Sequence, residues 1–209
     1  MSKVVTKTDG KHTFFYDKSC ELSNWFMRDF VVKGIKFNCN EQFMMFCKAK
    51  IFNDEVKAAE ILAAKWPGDH KRLGREVAGY VEEVWVKRRD GIMDHGTFHK
   101  FDQNKDLRSV LFWSMGTKLV EAAANDKIWG IGLGITDPRI SDPTKWRGLN
   151  LLGESLDRSK ARLIEKYPEE YAEIVAEAKA MLEDYDQMVL EDTLKYGLKP
   201  DTAHGGPEL

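Results

Sequence analysis

In residues 40–52 the apolar positions Phe43, Met44, Phe46, Cys47 and Ile51 recur at steps of three and four. That spacing predicts a helix with one buried face, and Asn40 is an acceptable N-cap for it. Asp54 is placed to cap a second helix over EVKAAEILAAK, which ends by Trp66-Pro67-Gly68 because proline disfavours helix in the residue before it. The two together predict a helical hairpin. Ahead of it, residues 12–16 carry β-branched and aromatic side chains, and residues 30–37 read as two short strands around a turn at Lys33-Gly34.

The pattern is mixed over 71–100, with a short helix before Gly79 and another over 82–88. Residues 107–124 put Leu107, Val110, Leu111, Ser114, Leu119 and Ala122 on a helical stripe, interrupted by Gly116 and closed by Asp126. The run 128–135, IWGIGLGI, alternates glycine with apolar residues and predicts a strand that something else approaches closely. Residues 150–164 are helical again. Past Tyr167-Pro168 the chain turns acidic, and Tyr171, Ile174, Val175, Ala178, Leu182, Tyr185 and Val189 form a stripe. This predicts a long amphipathic helix ending near Gly197, of the one-sided kind that usually covers its own domain. The expected organisation is an N-terminal segment (1–11), a main domain (12–165), a helical extension (166–198) and a flexible tail (199–209).

Composition narrows the class. A chain of 209 residues can bury a sizeable core. Its 43% hydrophobic and 32% charged content, with a mean hydropathy of -0.47, excludes a disordered or fibrous chain. A formal net charge of -2 gives no global footprint for nucleic acid or anionic membrane, and leaves only a local basic groove open. Cys20, Cys39 and Cys47 form no CxxC pair, and their odd number argues against a disulfide framework, so a reducing, cytoplasmic setting is expected. With no apolar leader and no run of about 18 apolar residues, neither secretion nor membrane insertion is expected.

Several motifs carry candidate chemistry. Gly130, Gly132 and Gly134 are spaced GxGxG and run into Thr136-Asp137-Pro138, where a dinucleotide-binding helix would have to start. They read instead as positions that let the chain pass close to a ligand or another backbone. His95 and His99 share an i, i+4 spacing but lack a third ligand and an HExxH pattern, so no metal is expected. No nucleophile elbow supports a serine hydrolase. Trp25, Trp129 and Trp146 sit in polar, loop-like contexts, where a flat ring stacks on a nucleobase or packs into a core. Glu41 and Lys48 are seven apart on the first helix, hence nearly on one face, with a rise of about 10 Å between them. Spacing alone fits an exposed charged face as well as a pair converging on a ligand.

Taken together, Leu22-Ser23-Asn24, Asn40-Glu41-Gln42-Phe43 with Lys48-Ala49, Lys100-Phe101 with Asn104, Asp126-Lys127-Ile128-Trp129-Gly130-Ile131-Gly132, and Trp146-Arg147-Gly148-Leu149-Asn150-Leu151-Leu152-Gly153 resemble the NADAR family, also called YbiA-like, over residues 12–165. The resemblance implies a compact α+β fold, mainly α-helical, with a few short strands. It also implies an enzyme hydrolysing N-glycosidic bonds. Two substrate classes go with it: ADP-ribose attached to guanine bases of nucleic acid, and phosphorylated ribosylamino-pyrimidine intermediates of riboflavin synthesis. The implied partner is a nucleotide-derived small molecule or ADP-ribosylated nucleic acid, with no cofactor.

Residue by residue, the resemblance makes Lys48 a nucleophile that forms a Schiff base with opened ribose, Glu41 its carboxylate partner and Asp126 a second acid. Trp129 walls in the base or sugar, Asn24 and Asn150 hydrogen-bond ribose hydroxyls or base edges, and Gly130 and Gly132 admit the ligand. Arg147 or Lys100 meets a phosphate. Ser23, Trp85, Asn104 and Trp146 complete the implied substrate-binding set. The family commonly has a methionine where Asp157 stands, a departure that bears on local helix packing. Two rivals remain at this level: a module that binds ADP-ribose without cleaving it, and an interaction protein working through the acidic C-terminal helix, whose partner the sequence does not name.

Overall fold

A computed structural model describes residues 5–196. In chain order they form β1 (Thr6–Thr8), β2 (His12–Phe15), β3 (Phe30–Val32), β4 (Ile35–Phe37), α1 (Asn40–Ile51), α2 (Glu55–Ala63), α3 (Pro67–Arg75), α4 (Glu82–Asp102), α5 (Lys105–Trp113), β5 (Lys118–Glu121), α6 (Leu151–Lys166) and α7 (Pro168–Tyr196). The fold is α+β and mainly helical, as expected.

The sheet has the order β1-β2-β5, with β1 antiparallel and β5 parallel to β2. A parallel pair needs a crossover, and here that crossover carries α1 to α5. Alternation along β2 splits the interior into two. Phe15 and Leu119 face the main core between sheet and helices, while Phe14 and Val120 face a smaller core closed by Ile131, Leu133 and Ile140. The hairpin β3–β4 turns through Lys33 and Gly34, both at positive φ (49° and 80°), the conformation that matches strand twist in a two-residue turn.

The predicted helical hairpin is α1 and α2, and Asp54 caps α2 by accepting from the Lys57 N–H at 2.9 Å. Asn40 is not the cap of α1. Cys39 occupies that position, and the buried Asn40 side chain instead donates to Asn24 Oδ1 (2.9 Å) and Thr97 Oγ1 (3.0 Å). Tertiary packing therefore takes the side chain that local capping would have used.

Three other expectations are corrected. The helix over 82–88 runs on to Asp102, because Gly91 and Gly96 are accommodated; a Cβ on Gly96 would lie 2.1 Å from Asn40 Oδ1, so α4 approaches α1 closely at that glycine. The stripe over 107–124 is not one helix. It breaks after Trp113 through Gly116 at φ 73°, and residues 118–121 pair with β2 as a strand. Residues 128–135 are not a strand but an irregular segment fixed by backbone bonds such as Ile131 N–H to Glu121 O (2.9 Å) and Arg147 N–H to Ile131 O (2.8 Å). The strand β1 lies within the segment expected to precede the domain.

The first turns of α7 dock on α5. Glu170 takes a bidentate pair from buried Arg108 at 2.9 Å, and Tyr171 packs edge-on against Phe112 at 5.4 Å. Val175 and Ala178 of the stripe are half-buried, but Leu182 and Tyr185 are exposed, so only the start of this helix covers the domain. The predicted tail, 199–209, lies outside the described residues. No helix among the described residues is long and apolar enough to cross a membrane.

Candidate active site

Helix α1 sets the site. Glu41 and Lys48 both line one cavity of about 620 Å³, so the shared helix face is a cavity wall rather than an open charged surface. Helix α3 forms the opposite side with Lys71, Gly74 and Arg75. The two helices come close because position 74 is glycine: a Cβ there would meet Met45 Sδ at 1.9 Å. That approach lets Lys48 Nζ donate to Gly74 O at 2.7 Å. The amine also lies 4.1 Å from the Tyr80 ring centre and 5.7 Å from that of Trp85. Partial burial lowers its pKa below the ordinary lysine value, opposed by Glu82 and reinforced by Arg75.

Three carboxylates converge on the far side. Glu41 is 4% exposed, and burial pushes its pKa up to about 7 against the opposing charge of Lys71 and a hydrogen bond from the Trp25 side chain. Glu121, at the end of β5, is pushed up to about 8 by burial, then by the negative charges of Asp126 and Glu41, with Lys71 opposing. Its Oε2 is buried without a hydrogen-bond partner. Asp126 uses Oδ1 to accept from the N–H groups of Ile128 (3.0 Å) and Trp129 (2.8 Å), which shapes the turn that presents Trp129 to the cavity. Its Oδ2 is 3.9 Å from Lys71 Nζ.

A second cavity of about 280 Å³ adjoins the first. Trp25, Lys71, Glu121, Asn125 and Asp126 line both, while Tyr16, Asp17, Lys18, Ser23 and Ala123 line the smaller one alone.

Of the residues expected to bind substrate, Asn24 and Trp129 line the larger cavity and Ser23 the smaller. Asn24 also accepts the Glu41 N–H on its backbone oxygen at 3.2 Å and so fixes the start of α1. Trp85 is buried behind Lys48. Several others lie outside both cavities. Lys100 is 1% exposed, donates to Ser23 O at 2.9 Å and holds the loop of Ser23, Asn24 and Trp25; burial lowers its pKa to about 8. It is not placed to meet a phosphate. Asn104 donates to Asp29 O (3.0 Å) and Lys100 O (2.8 Å). Trp146 donates its indole N–H to Ile140 O at 2.7 Å and packs against the smaller core, and Arg147 is exposed away from the cavities.

Gly130 and Gly132 admit the protein's own chain rather than ligand. A Cβ on Gly130 would lie 2.8 Å from Glu121 O, and one on Gly132, at φ 68°, would lie 3.0 Å from Arg147 Cβ. Asn150, left-handed at φ 54°, accepts the Glu121 N–H on Oδ1 (3.0 Å) and donates to Leu119 O (3.0 Å). It clamps the end of β5 from the start of α6 and reaches the site only through Glu121. Asp157 accepts the Leu119 N–H at 3.3 Å, so the residue at this departure from the family pattern also ties α6 to β5.

Sequence reasoning missed Glu121, Lys71 and Arg75. Glu121 was hidden inside an expected helix; read as a strand, KLVE would have put it at a strand's carboxyl end, a common place for ligands. Lys71, Gly74 and Arg75 share one face of α3 by their spacing. Among the described residues no cluster of three or more His, Cys, Asp or Glu is suited to a metal ion, and His95 with His99, ring centres 4.5 Å apart, gains no third ligand.

Residues 13–164 match the family model of the NADAR domain. The chain belongs to the NADAR family. Every side chain that lines the two cavities falls within the matched NADAR residues, and α7 follows them. The chain is 37% identical over 180 residues to protein irg-1 of Caenorhabditis elegans, covering 78% of this chain and 85% of that protein. It is 36% identical over 140 residues to N-glycosidase R617 of Acanthamoeba polyphaga mimivirus, covering 65% of this chain and 82% of the relative. The NMR structure of the Escherichia coli protein YbiA matches with a TM-score of 0.62 and 26% identity, covering 78% of this chain and 92% of YbiA.

Proposed function

We propose that this NADAR protein is an N-glycosidase that hydrolyses the bond between ribose C1 and a base nitrogen. Its substrate in this reading is an ADP-ribosyl group on a guanine base. The observation that carries the reading is the pairing, in one cavity, of an amine with a lowered pKa and a carboxyl that titrates near neutrality. The names of two relatives, N-glycosidase R617 and N-glycosidase YbiA, support the reaction class.

The steps follow from the residues. The neutral Lys48 amine attacks C1, and the electron pair of the C1–N bond leaves with the base, which takes up a proton. The new C1–Nζ bond sheds an Nζ proton, O4 leaves C1 as the ring opens to a hydroxyl, and a Schiff base remains. Water adds to that imine carbon, the C1–Nζ bond breaks, and ADP-ribose is released and the amine restored. Glu41, two helical turns from Lys48, carries protons between these steps and stabilises positive charge on the sugar. Trp25 and Trp129 supply flat walls, and Lys71 with Arg75 supplies positive charge for phosphates. With a net charge of -2, a nucleic-acid substrate is held through its modified nucleotide rather than through general backbone attraction.

The test is borohydride treatment of the protein turning over ADP-ribosylated guanine DNA. Wild type is expected to be trapped as a covalent adduct on Lys48, and Lys48→Ala to lose turnover while retaining its fold. Normal hydrolysis by Lys48→Ala removes the mechanism. Turnover of phosphorylated ribosylamino-pyrimidines in its place moves the protein to the other substrate class, and binding of ADP-ribose without any turnover makes it a sensor.

A further inference from the structure

The two cavities meet along one wall, and the wall is unequally distributed. Lys48 and Glu41 line only the larger cavity, whereas Glu121 and Asp126 line both. A nucleophile displaces a leaving group from its opposite side, so a sugar whose C1 faces Lys48 directs the departing base away from α1. No α1 residue lines the smaller cavity, which shares Glu121 and Asp126 with the larger one, so the space away from α1 is the shared wall and the smaller cavity. The departing nitrogen needs a proton unless it is already weakly basic.

Of the two acids on that wall, Asp126 is engaged as an acceptor, with two backbone N–H groups on Oδ1 and Lys71 near Oδ2. Glu121 differs. Its Oε2 is buried with no partner, although its backbone is tightly fixed by Asn150 Oδ1, Ile131 N–H and β2. A buried, unpaired carboxyl oxygen on a rigid strand end is an unmet hydrogen-bonding demand that a ligand can satisfy. We infer that Glu121 is the catalytic acid of the reaction, protonating the leaving nitrogen of a base that occupies the smaller cavity. This inference rests on the N-glycosidase reading above.

The proton balance is complete within the site. The Glu121 carboxyl gives its proton to the nitrogen as the C1–N electron pair moves there. The carboxylate so formed is reprotonated by the proton that Nζ sheds on bonding to C1, carried by Glu41 or water. The groups facing Glu121 are consistent with a proton held at neutral pH. Glu41 from α1 and Asp126 from the following loop disfavour its charge, and Lys71 from α3 is the cation that opposes them. Its register partner on β2 is the uncharged Phe15, Asn150 approaches from α6, and Tyr16, Asp17 and Lys18 line the small cavity beyond.

The experiment compares wild type and Glu121→Gln on a series of N-ribosyl conjugates whose leaving nitrogens differ in basicity. General acids typically contribute about 10²- to 10⁴-fold. The variant is expected to lose about that factor on the most basic leaving groups and only a few-fold on the least basic. The wild-type rate on basic leaving groups should fall as pH rises through about 8, and the variant should lack that limb. An infrared band for a protonated carboxyl at pH 7, lost in Glu121→Gln, is expected in the protein without substrate. Equal slowing across the series, or no such band, overturns the assignment while leaving the N-glycosidase reading intact. A wild type inactive on every conjugate overturns that reading and the assignment with it. If Glu121→Gln does not fold, the band that remains in Glu41→Gln at pH 7 and the wild-type pH limb decide, because Glu41 also contributes to the wild-type band.

Discussion

Replacing Glu41 by Gln should make the protein more stable at pH 8 and leave it nearly unchanged at pH 5. Glu41 is buried, and its pKa rises from 4.5 to about 7 on folding. The folded state therefore holds this proton more tightly than the unfolded chain does. As pH climbs from 4.5 to 7 the unfolded chain gives up the proton first, so stability falls through that window and levels off above it. At about 1.4 kcal/mol per pH unit, the interval amounts to about 3 kcal/mol. About 2 to 3 kcal/mol of it develops between pH 5 and pH 8. Against a typical total of about 5–15 kcal/mol, that is a measurable fraction.

Gln keeps the shape of Glu and can still meet the Trp25 side chain, but it carries no charge to bury. Urea unfolding of both proteins at pH 5, 6, 7 and 8 measures the difference directly. Contributions from other groups, including buried His70 with its pKa lowered to about 4, occur in both proteins and largely cancel. Glu121 does not cancel fully, because removing the Glu41 charge eases its ionisation; this enlarges the advantage of the variant at high pH. Parallel stability curves for the two proteins would refute the reasoning, since they would mean that Glu41 titrates alike in the folded and unfolded states.

Two further outcomes follow from packing. Gly74→Ala forces Met45 or α3 to move, an overpacking that typically costs about 1–3 kcal/mol, and it shifts the carbonyl that holds Lys48; thermal unfolding and turnover should both suffer, with Met45→Ala in the same chain restoring part of the stability. Independent, additive effects of the two substitutions would show that the contact is not the cause. Arg108→Ala strips Glu170 and the carbonyls of Phe101 and Asp102 of their buried partner; with Glu170 itself partly exposed, the loss is about 1–3 kcal/mol, that of leaving buried acceptors unpaired. A double-mutant cycle with Glu170→Ala reads the coupling that docks α7, and a coupling near zero would place the docking in the Phe112–Tyr171 contact instead.

Periodicity was a reliable guide where local preference and tertiary packing agree. The α1–α2 hairpin, the β3–β4 turn and α6 follow from spacing, the Asp54 cap and the Lys33-Gly34 turn. It failed where packing overrides the local signal. Residues 118–121 satisfy a helical stripe and a strand alternation equally, and only the partner β2, a hundred residues upstream, decides between them. That ambiguity also hid Glu121, since it is the strand pairing, not the helical stripe, that turns its side chain to the cavity. Likewise the glycines of 128–135 signal a close approach correctly, but sequence does not say whether ligand or backbone does the approaching. Here it is the chain of the same domain.

This last point changes how the motif residues divide. Lys100, Asn150, Gly130 and Gly132 touch neither cavity, yet each lies against a segment that does. Lys100 braces the loop with Asn24 and Trp25, and Asn104 ties Lys100 O to Asp29 O; Gly130 and Asn150 lock the end of β5 and thereby Glu121. A buried lysine amine spent on backbone carbonyls is a costly way to hold a loop, because desolvation works against its charge. It is reasonable where the loop must place an aromatic wall and the first turn of α1 together. Lys48 and Glu41 then sit on a scaffold whose polar side chains are consumed in positioning, and the few cavity groups left unpaired or perturbed are, in the proposed reaction, the ones available for chemistry.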